Sequence, residues 1–135
     1  IDVVMAESEA QRSALWSLRE HTPDANRKTG AFCSSDTSVP IGQIDAFVSR
    51  THAAITGVHE GLRTNSYGHM GDGNIHHNVF PPEGIAKADF LQAHPGIANR
   101  VRRAINEATL ALDGSISAEH GIGRLKRKDL QRHAS

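Results

Sequence analysis

The sequence predicts an α+β domain, in which helices pack on a largely antiparallel sheet. Apolar residues recur at helical spacing in three segments, and Asp72-Gly73 is a strong signal for a β-hairpin. Helices that alternate with strands and one hairpin favour an antiparallel or mixed sheet covered by helices. A chain of 135 residues fits one compact domain with an ordinary hydrophobic core.

The first half of the chain predicts a helix, a short strand and a second helix. The first helix spans about Ser8 to Arg27 and ends at Gly30, and residues 31–33 form a short apolar strand. Asp36 to Pro40 signals the entry to the second helix, with Asp36 as its N-cap. The side chains expected on the buried side of the first helix are Ala10, Ala14, Leu15, Trp16 and Leu18. The apolar face of the second helix comprises Ile41, Ile44, Phe47, Val48, Ile55, Val58 and Leu62.

The second half predicts the hairpin, a third helix and one more strand. Residues 63–70 and 75–80 are the two hairpin strands, and Pro95 begins the third helix. Residues 115–118 are typical of a last strand, and residues 124–135 of a last helix. The apolar face of the third helix comprises Ile97, Val101, Ala104, Ile105, Ala108 and Leu112.

Composition argues against several classes of protein. The formal net charge is zero, so nothing electrostatic indicates binding to nucleic acid or to an anionic membrane. No apolar run is long enough to cross a bilayer. The single cysteine, Cys33, excludes an internal disulfide and fits a reducing compartment, where we interpret it as a core residue.

The hairpin predicts a pair of metal-binding histidines. If Asp72-Gly73 is a two-residue loop, His69 lies directly opposite His76, with Cβ atoms about 5 Å apart. Because side chains alternate along a strand, Asn78 shares the face of His76, and His77 lies on the other face. Two surface histidines on an amphipathic hairpin are the alternative interpretation.

A second glycine-bounded segment, Ser115 to Gly123, supplies an acid and another histidine. Ser117 and Glu119 alternate onto one face of the predicted last strand. Two histidines and one glutamate are a known catalytic zinc set, so Glu119 would be the third ligand. His120 beside it is suited to be a general base, with a helix or turn cap as its alternative role.

These segments resemble the C-terminal domain of FAD-linked oxidases, the group of D-lactate, D-2-hydroxyglutarate and glycolate dehydrogenases among the vanillyl-alcohol-oxidase-like flavoproteins. The resemblance rests on four motifs in the family order, which span most of the chain. The motifs are Leu15-Trp16-x-Leu18-Arg19-Glu20, Asp36-x-Ser38-Val39-Pro40, Gly68-His69-x-Gly71-Asp72-Gly73-Asn74-x-His76-x-Asn78 and Ser117-x-Glu119-His120-Gly121-Ile122-Gly123.

The resemblance implies a two-domain flavoprotein that oxidises a 2-hydroxy acid to a 2-oxo acid. Residues 1–135 would be part of its substrate (cap) domain, and a separate domain of the same polypeptide, absent here, would hold FAD. His69, His76 and Glu119 would then bind a divalent metal, with zinc as the first choice. Asn78 would contact the substrate or the flavin edge.

The same resemblance assigns the two remaining roles. Arg19 would bind the substrate carboxylate, and His120 would take the proton of the 2-hydroxyl. Family members often carry lysine at the position of Ser34. The absence of that positive charge in this chain argues against a dicarboxylate substrate such as 2-hydroxyglutarate.

Partners and location follow as expectations. This part alone should be inactive, and we expect its flavin-facing surface to favour a homo-oligomer. We predict a cytoplasmic protein. The alternative is peripheral attachment to the inner membrane through an electron-transfer partner. A zinc-dependent hydrolase and a non-catalytic metal-binding module are the alternative functions.

Overall fold

The computed structural model describes residues 4–118, and the chain divides into two compact units after Gly30. The first unit contains helix α1, Glu9–Thr29. Ser8 caps its start, because its hydroxyl accepts a hydrogen bond from the backbone N–H of Gln11. Gly30 ends it with a φ of 97°, a left-handed conformation that glycine adopts without strain. The predicted helix and its end are therefore confirmed.

The predicted buried side of α1 is wrong. Leu15, Trp16 and Leu18 are 39%, 51% and 72% exposed, and Ala10 and Ala14 are exposed as well. An apolar stripe on a helix is buried only when a second element covers it. Among the residues described, α1 is the only helix or strand of its unit, and a single helix cannot bury its own stripe.

The second unit contains the sheet and the remaining helices. Its elements in chain order are β1 (Cys33–Ser34), β2 (Thr37–Ser38), α2 (Ile44–Val58), β3 (Arg63–His69), β4 (Asn74–Phe80), α3 (Lys87–Ala93) and α4 (Ile97–Leu110). Short 3₁₀ turns at Ile41–Gln43 and Met70–Asp72 precede α2 and β4. The α+β prediction is confirmed.

Strand β4 is the centre of an antiparallel sheet. It pairs with β3 along one edge, while β1 and β2 pair with the two ends of its other edge. Ser34 lies opposite Asn78, and Thr37 lies opposite Ile75, so β1 and β2 follow one register. They are two halves of a single edge strand that is interrupted at residues 35–36.

The hydrophobic core lies between the helices and one face of the sheet. Helices α2 and α4 pack against each other, as their predicted apolar faces require. Ile75 and Val79 of β4 join this core, and burial raises the pKa of the Cys33 thiol, in agreement with the structural role predicted for that residue. The largest fully buried core side chains are Phe47, Phe90, Ile55, Ile97, Ile105, Val79 and Val101.

Several boundary predictions differ from the structure. Helix α3 was not predicted, since its seven residues are too short to establish a period, although Phe90 anchors it in the core. Ile41 is 61% exposed and precedes α2, and Leu62 lies beyond the end of α2. The predicted strand at residues 115–118 is reduced to one bridge between Ser38 and Ser115, because Ser115 Oγ accepts from the backbone N–H of Ser117 instead.

No helix between residues 4 and 118 combines the length and the apolar character that crossing a bilayer requires.

Candidate functional site

One face of β4 packs on the helices and contains a buried histidine. His77 is 1% exposed, and its ring makes an edge contact with Phe47, with the two centroids 5.1 Å apart. Its Nδ1 lies 2.7 Å from the hydroxyl oxygen of Ser66. Burial, and less strongly the charge of His76, lowers the pKa of His77 to about 4. His77 therefore lies away from the other β4 histidine, as the alternation predicts.

The loop between β3 and β4 is longer than predicted. Met70–Asp72 forms a 3₁₀ turn, and Gly73 follows with a φ of 66° and donates its N–H to the carbonyl oxygen of Met70 at 3.2 Å. The carbonyl of Gly73 in turn accepts from the N–H of Val39 at 3.0 Å. The loop thus has four residues and is tied to the segment after β2, so the two-residue Asp72-Gly73 loop is wrong.

The longer loop shifts the register by two residues. His69 lies opposite Asn74 rather than His76, and Tyr67 lies opposite His76. Because side chains alternate with a period of two, an even shift keeps His69 and His76 on the same face. They are diagonal neighbours with ring centroids 6.2 Å apart and nearly perpendicular planes. The prediction that His69 and His76 lie directly opposite each other is therefore wrong, but they do lie close together on one face.

The separation of these two rings is close to that of two ligands of one metal ion. An imidazole nitrogen lies about 2 Å from bound zinc, so two rings that share one tetrahedral ion have centroids about 5 Å apart. The centroids of His69 and His76 are 6.2 Å apart, so the two rings would have to approach each other by about 1 Å to share a zinc ion. Within residues 4–118, no three His, Cys, Asp or Glu side chains form a group that could hold a metal, so a third ligand must come from elsewhere. Glu119, the predicted third ligand, lies outside the described residues.

Asn78 presents a buried donor on the same face. Its Oδ1 accepts a hydrogen bond from the hydroxyl of Ser34 at 2.8 Å, which fixes the orientation of the amide. Its Nδ2 is buried and has no hydrogen-bond partner among the residues described. A buried donor without a partner costs free energy unless a ligand accepts from it. Nδ2 is therefore available to an oxygen or nitrogen atom of a ligand.

Sequence reasoning misplaced Asp36 and gave Asn74 no role. Asp36 does not cap α2, whose N-cap position is Gln43 and lacks a side-chain hydrogen bond. Instead the carboxylate accepts from Nδ2 of Asn74 at 3.0 Å and faces Nδ1 of His76 at 3.7 Å. The only sequence signal for this arrangement is that Asp36 follows Ser34 by two residues, so the two side chains share a face if their segment is a strand. The sequence does not show that this segment pairs with β4.

The described structure does not test the roles of the other predicted site residues. Arg19 lies on α1, in the first unit, and is half-buried there. His120 lies outside the described residues, as does Glu119. The roles given to these residues stay predictions.

Comparison with known proteins gives one family and a set of similar relatives. The family described as FAD linked oxidases, C-terminal domain, matches residues 1–135. A D-2-hydroxyglutarate dehydrogenase of Xanthomonas citri pv. viticola is 37% identical over 96% of this chain and 26% of its own length. Proteins with the same name from Stutzerimonas stutzeri and Arabidopsis thaliana (the latter mitochondrial) are 34% and 32% identical over 97% and 96% of this chain, and 27% and 21% of their own lengths.

The chain thus spans about a quarter of the length of these curated relatives. The match to the family covers every residue, and it includes the hairpin on which His69, His76 and Asn78 share a face. The chain belongs to the family of the C-terminal domains of FAD linked oxidases.

Proposed function

We propose that this chain is the substrate- and metal-binding part of an FAD-dependent 2-hydroxy acid dehydrogenase. The observation that carries the proposal is the polar face of the hairpin. There the ring centroids of His69 and His76 lie 6.2 Å apart, and Nδ2 of Asn78 is a buried hydrogen-bond donor. Family membership supports the dehydrogenase over the zinc-dependent hydrolase and over a non-catalytic metal-binding module. A domain of the same polypeptide would hold FAD.

The residues that would hold a divalent metal are His69, His76 and Glu119. A metal at this position would supply Lewis-acid chemistry and would thereby lower the pKa of the 2-hydroxyl. Imidazole and carboxylate ligands accept zinc and several other divalent metals, and zinc is the first ion to test.

The remaining roles concern the substrate. Arg19 would bind the carboxylate through two parallel hydrogen bonds, and Asn78 Nδ2 would donate to a substrate oxygen or to the flavin edge. His120 would hold the proton that leaves the 2-hydroxyl. FAD would be the acceptor of the hydride that leaves C2 when the alcohol is oxidised to a 2-oxo acid. Self-association and a cytoplasmic location are further parts of the proposal, and the free, buried Cys33 is compatible with that location.

Anaerobic flavin reduction tests this function. The full polypeptide that contains this chain, loaded with FAD, should lose its oxidised flavin absorbance when mixed with D-lactate, glycolate or D-2-hydroxyglutarate. L-lactate serves as the control substrate. The His120→Ala variant should retain FAD and fail to be reduced, because no residue would take the hydroxyl proton. Absence of reduction by every 2-hydroxy acid would refute the dehydrogenase, and metal-dependent ester hydrolysis in its place would favour the hydrolase.

The substrate class is tested at Ser34. The relatives compared above are named D-2-hydroxyglutarate dehydrogenases. This chain has serine at position 34, where the family resemblance leads us to expect lysine. Ser34→Lys should raise the kcat/KM ratio of D-2-hydroxyglutarate to D-lactate by about 10- to 100-fold, since a charge-assisted hydrogen bond to a second carboxylate contributes about 1.5–3 kcal/mol.

The matched control is Ser34→Met, which has similar length and no charge. Both substitutions remove the hydrogen bond to Asn78, so only the lysine should change the preference between the two substrates. Equal ratios in the two variants would show that this position does not bind a second carboxylate.

A further inference from the structure

Asp36 lies beside a predicted metal ligand because of the register of the edge strand. β1 and β2 pair with β4 in one register, and that register places Asp36 opposite His76 across the break between them. Opposed residues of an antiparallel pair share a face. The backbone N–H of Ser35 donates to the carbonyl of His77 at 2.9 Å, so the segment stays attached to β4 at the break.

The Asp36 carboxylate is held in place by a second side chain. The residue as a whole is 9% exposed, and its carboxylate accepts a hydrogen bond from Nδ2 of Asn74 at 3.0 Å. The same Nδ2 donates to the carbonyl oxygen of Thr37 at 3.0 Å, so Asn74 ties the carboxylate to the strand that follows it. An acid this deeply buried is costly unless its neighbours make favourable contacts with its charge.

The carboxylate faces one particular nitrogen of the ring. Oδ1 of Asp36 lies 3.7 Å from Nδ1 of His76, with the two side chains 11% and 14% exposed. That distance exceeds a hydrogen bond and is within the range of a close charge contact with a protonated ring. Asp36 forms no three-residue metal-binding group with the histidines of residues 4–118, so it stands behind His76 rather than acting as a third ligand.

A carboxylate behind a histidine determines which ring nitrogen binds a metal. When Nδ1–H points to a carboxylate, the proton stays on Nδ1, and the lone pair of Nε2 faces away. We propose that Asp36, held by Asn74, is the positioning residue that fixes this tautomer and the ring orientation of His76 for a divalent metal. The inference rests on the proposed function, because it assumes that His76 is a ligand.

Zinc affinity tests the inference without relying on activity. The full polypeptide that contains this chain is stripped with a chelator and titrated with zinc in competition with a chromogenic chelator. Asp36→Asn should weaken the zinc Kd by about 10- to 100-fold, because loss of an outer partner of a ligating histidine has effects of that size. Asp36→Glu, which keeps a carboxylate one methylene further out, should have an affinity between wild type and Asp36→Asn.

The controls separate positioning from general damage. Asp45→Asn makes the same charge change at an exposed residue of α2 and should leave the zinc Kd unchanged. The melting temperature and FAD content of Asp36→Asn should match those of Asp45→Asn, and if Asp36→Asn does not fold, the Asp36→Glu affinity decides. An unchanged zinc Kd in the deciding variant overturns the role of Asp36 and leaves the metal site standing. A wild-type polypeptide that binds no zinc overturns both.

Discussion

Under the proposed function, replacing His76 with alanine in the full polypeptide should abolish binding of the proposed metal and lower kcat/KM for a 2-hydroxy acid by more than about 100-fold. Loss of an outer partner of a metal ligand costs about 10- to 100-fold, and loss of the ligand itself should cost more. His69→Ala should have the same effect, since the two rings lie 6.2 Å apart on one face of the hairpin. Metal content by mass spectrometry and steady-state kinetics measure the two losses.

The matched control is His52→Ala. His52 is exposed on α2, so its removal deletes an imidazole without touching the polar face of the hairpin. Its metal content and kcat/KM should equal those of wild type. Full metal occupancy in both His69→Ala and His76→Ala, with melting temperatures near that of His52→Ala, would remove these residues from the metal site.

The sequence could predict which hairpin side chains share a face, because this depends on the two-residue alternation of side chains along a strand and not on loop length. Any shift of the register by an even number of residues keeps the same side chains on the same face. The loop is two residues longer than predicted because Gly73 adopts a left-handed φ and accepts a hydrogen bond from Val39, in the segment that follows β2. Local sequence contains no information on that contact, so the direct opposition of His69 and His76 was wrong while their common face was correct.

Asp36 and α1 show where local patterns stop being informative. Asp36 in front of Pro40 has the composition of a helix cap, and only the pairing of its segment with β4 brings it to His76. The spacing of apolar residues on α1 correctly predicted a helix. Whether Trp16 and Leu18 are buried depends on whether another element covers them, and helical spacing does not specify that. Non-local pairing determines both outcomes.

The buried His77 is expected to make the chain less stable below neutral pH. Its folded pKa is about 4, against an ordinary value of 6.5, and the leading cause is burial. Above pH 6.5 both the folded and unfolded forms are neutral, so the residue adds no pH dependence. Between pH 6.5 and 4 the unfolded chain binds one proton more, so the free energy of unfolding falls as pH falls, by about 3 kcal/mol in total. Below pH 4 both forms are protonated, and the loss stops.

The substitution His77→Phe keeps an aromatic ring beside Phe47 and removes the titration. It also removes the contact with Ser66, a loss that does not depend on the His77 titration. Urea unfolding of residues 1–135, followed by circular dichroism at pH 7.5, 6, 5 and 4.5 with a chelator present, should give stability curves that diverge as pH falls. Wild type should lose up to about 3 kcal/mol more than the variant, and the groups common to both cancel in the difference. Since His77 lies on the face of β4 opposite His76, the zinc Kd of the full polypeptide should be unchanged by the substitution. Parallel curves would mean that His77 is protonated as easily in the folded chain as in the unfolded one, against its 1% exposure.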